Sequence, residues 1–354
     1  MVINHQRLAN FVGEIFKRFD ADPSDATQVA EHLVAANLKG HDSHGVGMVP
    51  AYVGNIRSGK LDVGAHAKVA HDKGAVLLID GQMGFGQVVG REAADFALER
   101  VAETGIVCAG VRNCHHLGRI GTYGEHIGAA GYISVHFVNV VGHEPLVSPF
   151  GGREPRISTN PFCCVVPQPN GPPIVLDMAT SAIAQGKVRV AHMQGAQVPE
   201  GALQDHEGSP TTDPRVMFED PKGALGPFGK HKGYGLGLMC ELLGGGLAGE
   251  WTAAQEYREG FTIVNHMLML VLDPDAFGGG KAFAAEVQAM VAHVHSTTPA
   301  VGVDRVMVPG EPEIDAMQQR QTDGIPIDDN TWAGILKSAQ VAGMSEAEVA
   351  ALTD

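Results

Sequence analysis

Leu77–Phe96, LLIDGQMGFGQVVGREAADF, is the stretch whose reading decides what kind of α/β protein this chain is. It gives an apolar strand ending near Asp80, a glycine-rich turn and then a helix, the order in which a dinucleotide-binding fold begins. That fold needs its glycines spaced G-x-G-x-x-G, so that the backbone can approach a pyrophosphate closely. Here the glycines at 84, 86 and 90 give G-x-G-x-x-x-G, one residue off the fingerprint. They are therefore read as a turn and a helix-packing device, not as a phosphate cradle.

Outward from this stretch, strands and helices follow one another irregularly. Upstream, residues 4–18 (NHQRLANFVGEIFKR) place Leu8, Phe11, Val12, Ile15 and Phe16 at helical spacing, and Asp22-Pro23 caps a second helix that stops at Gly40. HDSHGVGMVPAYV, residues 41–53, is a loop running into a short helix, and AHAKVAHDKGAVLLIDG reads as two short strands. Downstream, IVCAGVRN and YISVHFVNVV are strands on either side of the helix GRIGTYGEHIGAAG, and FCCVVPQPNGPPIVLDMATS is a hairpin. KGYGLGLMCELLGGGLAGE is an apolar helix, HMLMLVLDPDAF begins with a strand, RVMVPG is a strand, and DDNTWAGILKSAQVAG and SEAEVAALT are closing helices. Hairpin-like neighbours in such an order argue for a mixed or mostly antiparallel sheet, not a regular βαβ succession.

Composition narrows the function classes. The chain has 354 residues, enough for one large domain or two modest ones, and 46 of them are glycine. Its 25 basic and 40 acidic residues leave a net charge of −15, which argues against a nucleic-acid partner and leaves a small anionic substrate open. Cys108, Cys114, Cys163, Cys164 and Cys240 form no C-x-x-C pair, and no H-E-x-x-H occurs among the 17 histidines, so no spacing supports a metal site. The N-terminus lacks the order of a signal peptide and no run has the length of a membrane span; a cytoplasmic protein is expected.

Polar chemistry gathers in a few segments. The 41–53 loop carries His41, Ser43, His44 and Tyr52 around an inert Met48. In VRNCHHLGRIGTYGEHI, adjacent His115 and His116 at a strand end must face opposite ways, so they have different tasks: one an inward acid/base, the other a structural donor. PFGGREPRISTNPF holds Arg153, Arg156 and Asn160 on glycine turns. In VLDMATSAIAQGKVRVA a strand passes through Asp177 and Thr180-Ser181 to an expected helix start, with Lys187 and Arg189 on the next turns, a place that suits a phosphate or a plain N-cap. GPFGKHKGYGLGLMCELL sets two lysines and a histidine before a helix N-terminus, and VPGEPE is a rigid turn carrying Glu311.

Taken in order, SHG…Y, NCHHLGRIGTY, GG-x6-TNP, LDMATS-x4-GKVRVA, TTDP, HKGYGL-x4-E and VPGE resemble the malate/L-lactate dehydrogenase family that is unrelated to the Rossmann-type enzymes of those names, from about residue 5 to about residue 350. The details HDSHGVGMVPAYV and HHLGRIG look most like its hydroxycarboxylate dehydrogenase B branch. The resemblance implies a non-Rossmann α/β fold: a mixed, largely antiparallel sheet flanked by helices. It implies a mainly helical substrate and dimer region from 1–70 plus 310–354, and an α/β cofactor-binding region at 71–309. It further implies a homodimer that moves hydride between NAD or NADP and C2 of a 2-oxo or 2-hydroxy acid, or an equivalent cyclic imine such as Δ1-piperideine-2-carboxylate, without a metal.

Carried over residue by residue, His116 matches a proton acceptor and His44 a proton donor of that family, while Ser43 and Tyr52 match substrate-side positions. Asp177, Met178, Ala179, Thr180, Ser181 and Lys187, together with His231, Lys232, Gly310, Glu311 and Pro312, match the cofactor segments. Where many members carry arginine, as SHG-x-x-R, this chain has Met48, and Cys114 stands where serine is frequent. Arg156 and Asn160 are then the expected carboxylate anchors, and a thioether wall favours an apolar or aromatic substrate side chain over the second carboxylate of malate. A metal-dependent hydrolase is the rival reading from another class.

Overall fold

The structure is a computed structural model and describes residues 1–255 and 262–353. The chain opens with β1 (Val2–Ile3), α1 (His5–Lys17) and α2 (Pro23–Leu38). Asn4 accepts from two backbone N–H groups to start α1, and Asp22 caps α2 with Pro23 in its first turn. The helical spacing is realised: Leu8, Phe11, Val12, Ile15 and Phe16 are all fully buried. Two single 3-10 turns, Asp42–His44 and Val46–Met48, lead into α3 (Val49–Arg57).

Next come β2 (Lys68–Lys73), β3 (Val76–Asp80), α4 (Gly86–Thr104), β4 (Ile106–His115), α5 (Gly121–Ala129), β5 (Ile133–Val141), β6 (Phe162–Val166) and β7 (Ile174–Met178). After α6 (Gln185–Gln194), the short strands β8 (Leu203–Gln204), β9 (Pro210–Thr211) and β10 (Ala224–Leu225) pair in a small sheet of their own. α7 (His231–Cys240) continues as a π-helix over Glu241–Gly249, and β11 (Val264–Leu272) follows. The chain closes with α8 (Gly280–His295), α9 (Glu311–Asp323), β12 (Ile325–Pro326), α10 (Asp329–Val341) and α11 (Glu346–Thr353).

The main sheet has the order β2-β3-β4-β11-β5-β6-β7. Its neighbours are antiparallel except β3 and β4, which are parallel. That pair is joined through α4, so the stretch at 77–96 forms a βαβ crossover inside a largely antiparallel sheet. This is why it imitates a dinucleotide fold without being one.

Its glycines have packing reasons. A Cβ on Gly86 would lie 2.3 Å from the His116 carbonyl oxygen, one on Gly90 2.5 Å from the Tyr123 ring, and one on Gly84 2.3 Å from Ala65 O. They let α4 press against the residues that follow β4. The run Gly244–Gly249 does spell G-x-G-x-x-G, but it lies within the π-helix and follows a helix. There it brings backbone onto the sheet centre, with a Gly249 Cβ falling 2.2 Å from the His266 ring.

The apolar side chains gather into three clusters. One joins α1–α3 with residues 325–344, one lines the main sheet under α4 and α5, and a small one lies within 147–225. Two expectations are corrected. RVMVPG is not a strand: Pro309 O instead accepts the N–H of Val175, docking this segment beside β7. The residues around Thr180-Ser181 do not start a helix, because the Thr180 N–H is taken by Thr159 O and α6 begins at Gln185. α8 and α9 add to the expected elements: only Val287 of α8 and no residue of α9 is buried, so neither presents a clear apolar stripe.

Candidate active site

The loop between α2 and α3 is held from both sides. Asn37 Nδ2 donates to Asp42 Oδ1 at 2.7 Å, and Asn37 Oδ1 accepts the Val46 N–H at 2.8 Å. A Cβ at Gly45 would sit 2.2 Å from that oxygen, so the glycine of the SHG motif is a close-approach residue. Arg320 of α9 adds a salt bridge to Asp42 at 2.7 Å, and His41 reaches Glu313 at 3.2 Å. His41 therefore ties the loop to α9.

So fixed, the loop meets the end of β4. His44 Nδ1 lies 3.3 Å from His116 Nε2, with the two rings stacked at 5.4 Å. His116 Nδ1 is 2.7 Å from Tyr52 Oη, and Gln87 Nε2 donates to that oxygen at 2.7 Å. His115 turns the other way, with Nε2 at 2.9 Å from Asn55 Nδ2 and 3.4 Å from Thr262 Oγ1. The alternation expected for adjacent histidines is what the strand end imposes.

Burial decides the electrostatics. It pushes His116 well below its ordinary value, helped by the neighbouring imidazoles, and pushes His115 down to about 4. Burial also lowers His44, against which Asp177 acts in the opposite sense. Tyr52 is raised by the same cause and keeps its proton.

Asp177 itself accepts the Gly121 N–H, at the first residue of α5, at 2.7 Å and faces Arg119 Nε at 3.7 Å. Arg119 is almost fully buried and pairs with Glu125 at 2.9 Å; Lys39 also pairs with Glu125. The carboxylate of Asp177 thus belongs to the charge network beside His44. Arg119 and Gln87 stand in the quoted motifs without a role, because an isolated long polar side chain gives no sign of being buried.

The other expected residues are dispersed in part. Ser43 packs against the start of α6, where a Gly186 Cβ would come within 3.0 Å of its Cβ. Met48 is half-buried against the helical core. Arg156 is 63% exposed and paired with Glu154, so it does not join the histidines. Asn160 is fully buried, and its side chain is committed to the Val140 N–H at 3.1 Å, Glu241 Oε2 at 2.6 Å and Gly237 O at 3.2 Å. Neither is placed as a carboxylate anchor: Arg156 is drawn to water by its charge, and Asn160 already serves a buried acid.

Met178 and Ala179 are half-buried beyond Asp177, and Thr180 and Ser181 give their hydroxyl protons to backbone carbonyls. Thr180 O also accepts the Phe228 N–H at 3.1 Å, bringing the approach to His231-Lys232 alongside. Lys187 is exposed on α6. Gly310, at φ 97°, caps α9 before Glu311 and Pro312, and this turn lines an open cleft of about 330 Å³. A smaller cavity of about 110 Å³ lies at the end of β5, between His143, Ser158 and Trp251. Among the described residues no group of three metal-ligating side chains is found.

A largely antiparallel α/β fold with paired imidazoles at one sheet end, and no strand-borne dinucleotide fingerprint, defines a class apart from the Rossmann dehydrogenases. A model of the malate/L-lactate dehydrogenase family matches residues 3–336, and the chain belongs to that family. It is 43% identical over 343 residues to hydroxycarboxylate dehydrogenase B of Escherichia coli O157:H7, covering 96% of this chain and 94% of that one. Among solved structures it is similar to sulfolactate dehydrogenase from Methanocaldococcus jannaschii, with TM-score 0.88, 30% identity and 98% of each chain covered. It is also similar to Δ1-piperideine-2-carboxylate reductase from Pseudomonas syringae pvar. tomato, with TM-score 0.83, 30% identity, and 96% of this chain and all of the other covered.

Proposed function

We propose that the chain is an NAD- or NADP-dependent oxidoreductase that interconverts 2-hydroxy and 2-oxo acids bearing an apolar or aromatic side chain. One observation carries the reading: the run Gln87–Tyr52–His116, buried, and the half-buried His44 beside it, a set of proton-bearing atoms in hydrogen-bond succession. Hydroxycarboxylate dehydrogenase B and sulfolactate dehydrogenase, by their names, act on hydroxy acids, which supports the same substrate class here.

A nicotinamide, when bound, supplies the hydride acceptor or donor, and the protein supplies orientation and the proton. The residues fit such a group at the start of α7. Lys230, His231 and Lys232 are exposed there, and a Gly233 Cβ would fall 2.2 Å from Phe228 O, so the turn is drawn tight beneath them. Lys230 holds φ 60° and ψ −119°, a strained conformation kept at the mouth of a helix that favours anions. We assign His231, Lys232, the Asp177–Ser181 segment, Lys187 and the Gly310–Pro312 turn to the cofactor side, with Ser43, Met48 and Tyr52 on the substrate side. The imidazoles exchange the substrate's hydroxyl proton, and their depressed basicity keeps them neutral until a substrate oxygen arrives.

The test is a panel of 2-oxo acids, each with NADH and NADPH, followed by loss of reduced nicotinamide absorbance. Turnover of alkyl or aromatic 2-oxo acids above oxaloacetate is expected; malate and oxaloacetate far ahead of them would sink the substrate assignment. A cyclic imine in the same panel tests the second reading, which the likeness to the piperideine-carboxylate reductase favours. Activity unchanged by a chelator is expected, and its abolition would favour a metal-dependent hydrolase. A homodimer is proposed from the exposed Met239, Leu242 and Leu247 on α7 and the π-helix, an apolar strip that a second copy would cover.

A further inference from the structure

The buried chain of hydrogen bonds has a direction, and that direction assigns protons to atoms. Gln87 Nε2 lies 2.7 Å from Tyr52 Oη and 3.3 Å from the carbonyl oxygen of His116. A carbonyl can only accept, so the amide must present its NH₂ edge to both. The cost of this orientation is visible: Gln87 Oε1 is buried without a hydrogen-bond partner among the described residues. With a Gln87 proton entering Tyr52 Oη, the phenol's own proton goes to its other close neighbour, His116 Nδ1, at 2.7 Å. The competing acceptor, the His116 carbonyl, is at 3.5 Å, the limit of a hydrogen bond. His116 Nδ1 is therefore an acceptor, the ring proton is on Nε2, and Nε2 faces His44 Nδ1 at 3.3 Å.

We infer that Gln87 is a positioning residue that acts through Tyr52 to hold His116 as its Nε2–H tautomer, so that His116 donates a hydrogen bond to the substrate oxygen while Nδ1 of His44 takes and returns the proton. The inference rests on the dehydrogenase reading for the word substrate, but the tautomer itself does not. In oxidation the alcohol O–H bond breaks and its proton forms the Nδ1–H bond of His44, which becomes an imidazolium; an oxidised nicotinamide, when bound, would supply the acceptor for the C2 hydride. Reduction runs the same transfers backwards.

The charged surroundings agree with this division. His44 is faced by Asp177 at the end of β7, which favours its protonated form against Arg119 and His41. His116 is faced by the imidazoles of His32, His44, His115 and His143, which oppose its holding a second proton. An oxygen placed against both rings would accept from His116 Nε2–H and from a protonated His44, relieving the opposition of two N–H groups.

The experiment is long-range ¹H–¹⁵N correlation on the full chain with ¹⁵N-labelled histidine at about pH 8, where neutral imidazoles show which nitrogen carries the proton. His116 is identified as the signal lost in His116→Gln. The expected wild-type result is a protonated Nε2 and an unprotonated Nδ1; the reverse would overturn the inference. Gln87→Leu, and Gln87→Met should the first not fold, are expected to give a mixture of tautomers and to lower turnover roughly tenfold, the worth of one neutral buried hydrogen bond. A pure Nε2–H form retained in the variant that folds would remove Gln87 from the role. If neither folds, the wild-type spectrum decides. The expected tautomer in a protein that turns over no 2-oxo acid or imine would sink the functional reading while leaving the Gln87–Tyr52–His116 polarity standing.

Discussion

Among the described residues Arg119 is the largest fully buried side chain, held between Glu125 and Asp177. Its Nε and Nη2 make no hydrogen bond among the described residues, so the guanidinium acts here chiefly as a charge. Replacing it by methionine leaves Glu125 to Lys39 alone and takes from Asp177 the guanidinium that faces it. Urea unfolding should show a loss of about 3–5 kcal/mol, and a loss below about 1 kcal/mol would mean the pair is solvated in practice. His44→Ala should lower turnover by roughly 10²–10⁴, as expected for removal of an acid/base; near-normal rates would demote it to an orienting group. Met48→Arg restores the cation usual at this position in the family. It should raise kcat/KM for malate relative to an alkyl hydroxy acid about tenfold or more, and an unchanged ratio would show that residue 48 does not reach the substrate.

At the level of elements, α4 matters most, because its first turn carries Gln87 and rests on the backbone of the paired histidines. Gly86→Ala sets a methyl group against the His116 carbonyl, whereas a methyl group at Gly171 would meet nothing within 4 Å. The first substitution should cost about 1–3 kcal/mol and reduce turnover with it, and Gly171→Ala should stay within about 0.5 kcal/mol. Equal effects of the two on thermal unfolding would refute the packing argument. The helix itself is legible in Leu77–Phe96, and so is the failure of its glycine spacing. That it crosses between parallel strands of an otherwise antiparallel sheet is not legible, because strand pairing depends on partners distant in the chain. α9 escapes a sequence reading for a related reason: EPEIDAMQQRQTD has no buried residue, and its role is to clamp the 41–48 loop through Glu313 and Arg320.

Across the whole molecule, buried neutral histidines set the response to acid. Burial brings His32 and His136 to about 3, and His115 and His266 to about 4, from an ordinary value of 6.5. A lowered native value means that the unfolded chain binds more protons, so the stability these groups contribute is complete above 6.5. It is lost progressively as pH falls from there toward 3 to 4. Each buried histidine contributes a slope of up to about 1.4 kcal/mol per pH unit in that window. Urea midpoints should fall steeply between about pH 6.5 and pH 4. A flat profile would show that these rings charge without unfolding. The apolar strip on α7 and the π-helix gives a second prediction at this scale: Leu247→Glu should convert a dimer to a monomer in light scattering, and an unchanged mass would place the interface elsewhere.

Local order is written in the residues themselves: the α1 face built by Leu8, Phe11, Val12, Ile15 and Phe16, the cap at Asp22, and the opposed directions of His115 and His116. These follow from helical and strand periods that operate over a few residues. The ordered motifs likewise locate His44, His116 and Tyr52, which the fold brings within hydrogen-bond succession. Folding alone makes Gln87 complete that succession, buries Arg119 beside Asp177, turns Arg156 to water and spends Asn160 on Glu241. Whether a polar side chain is a ligand, a strut or a solvated surface group depends on burial and on partners dozens of residues away, and neither has a period that a sequence can display.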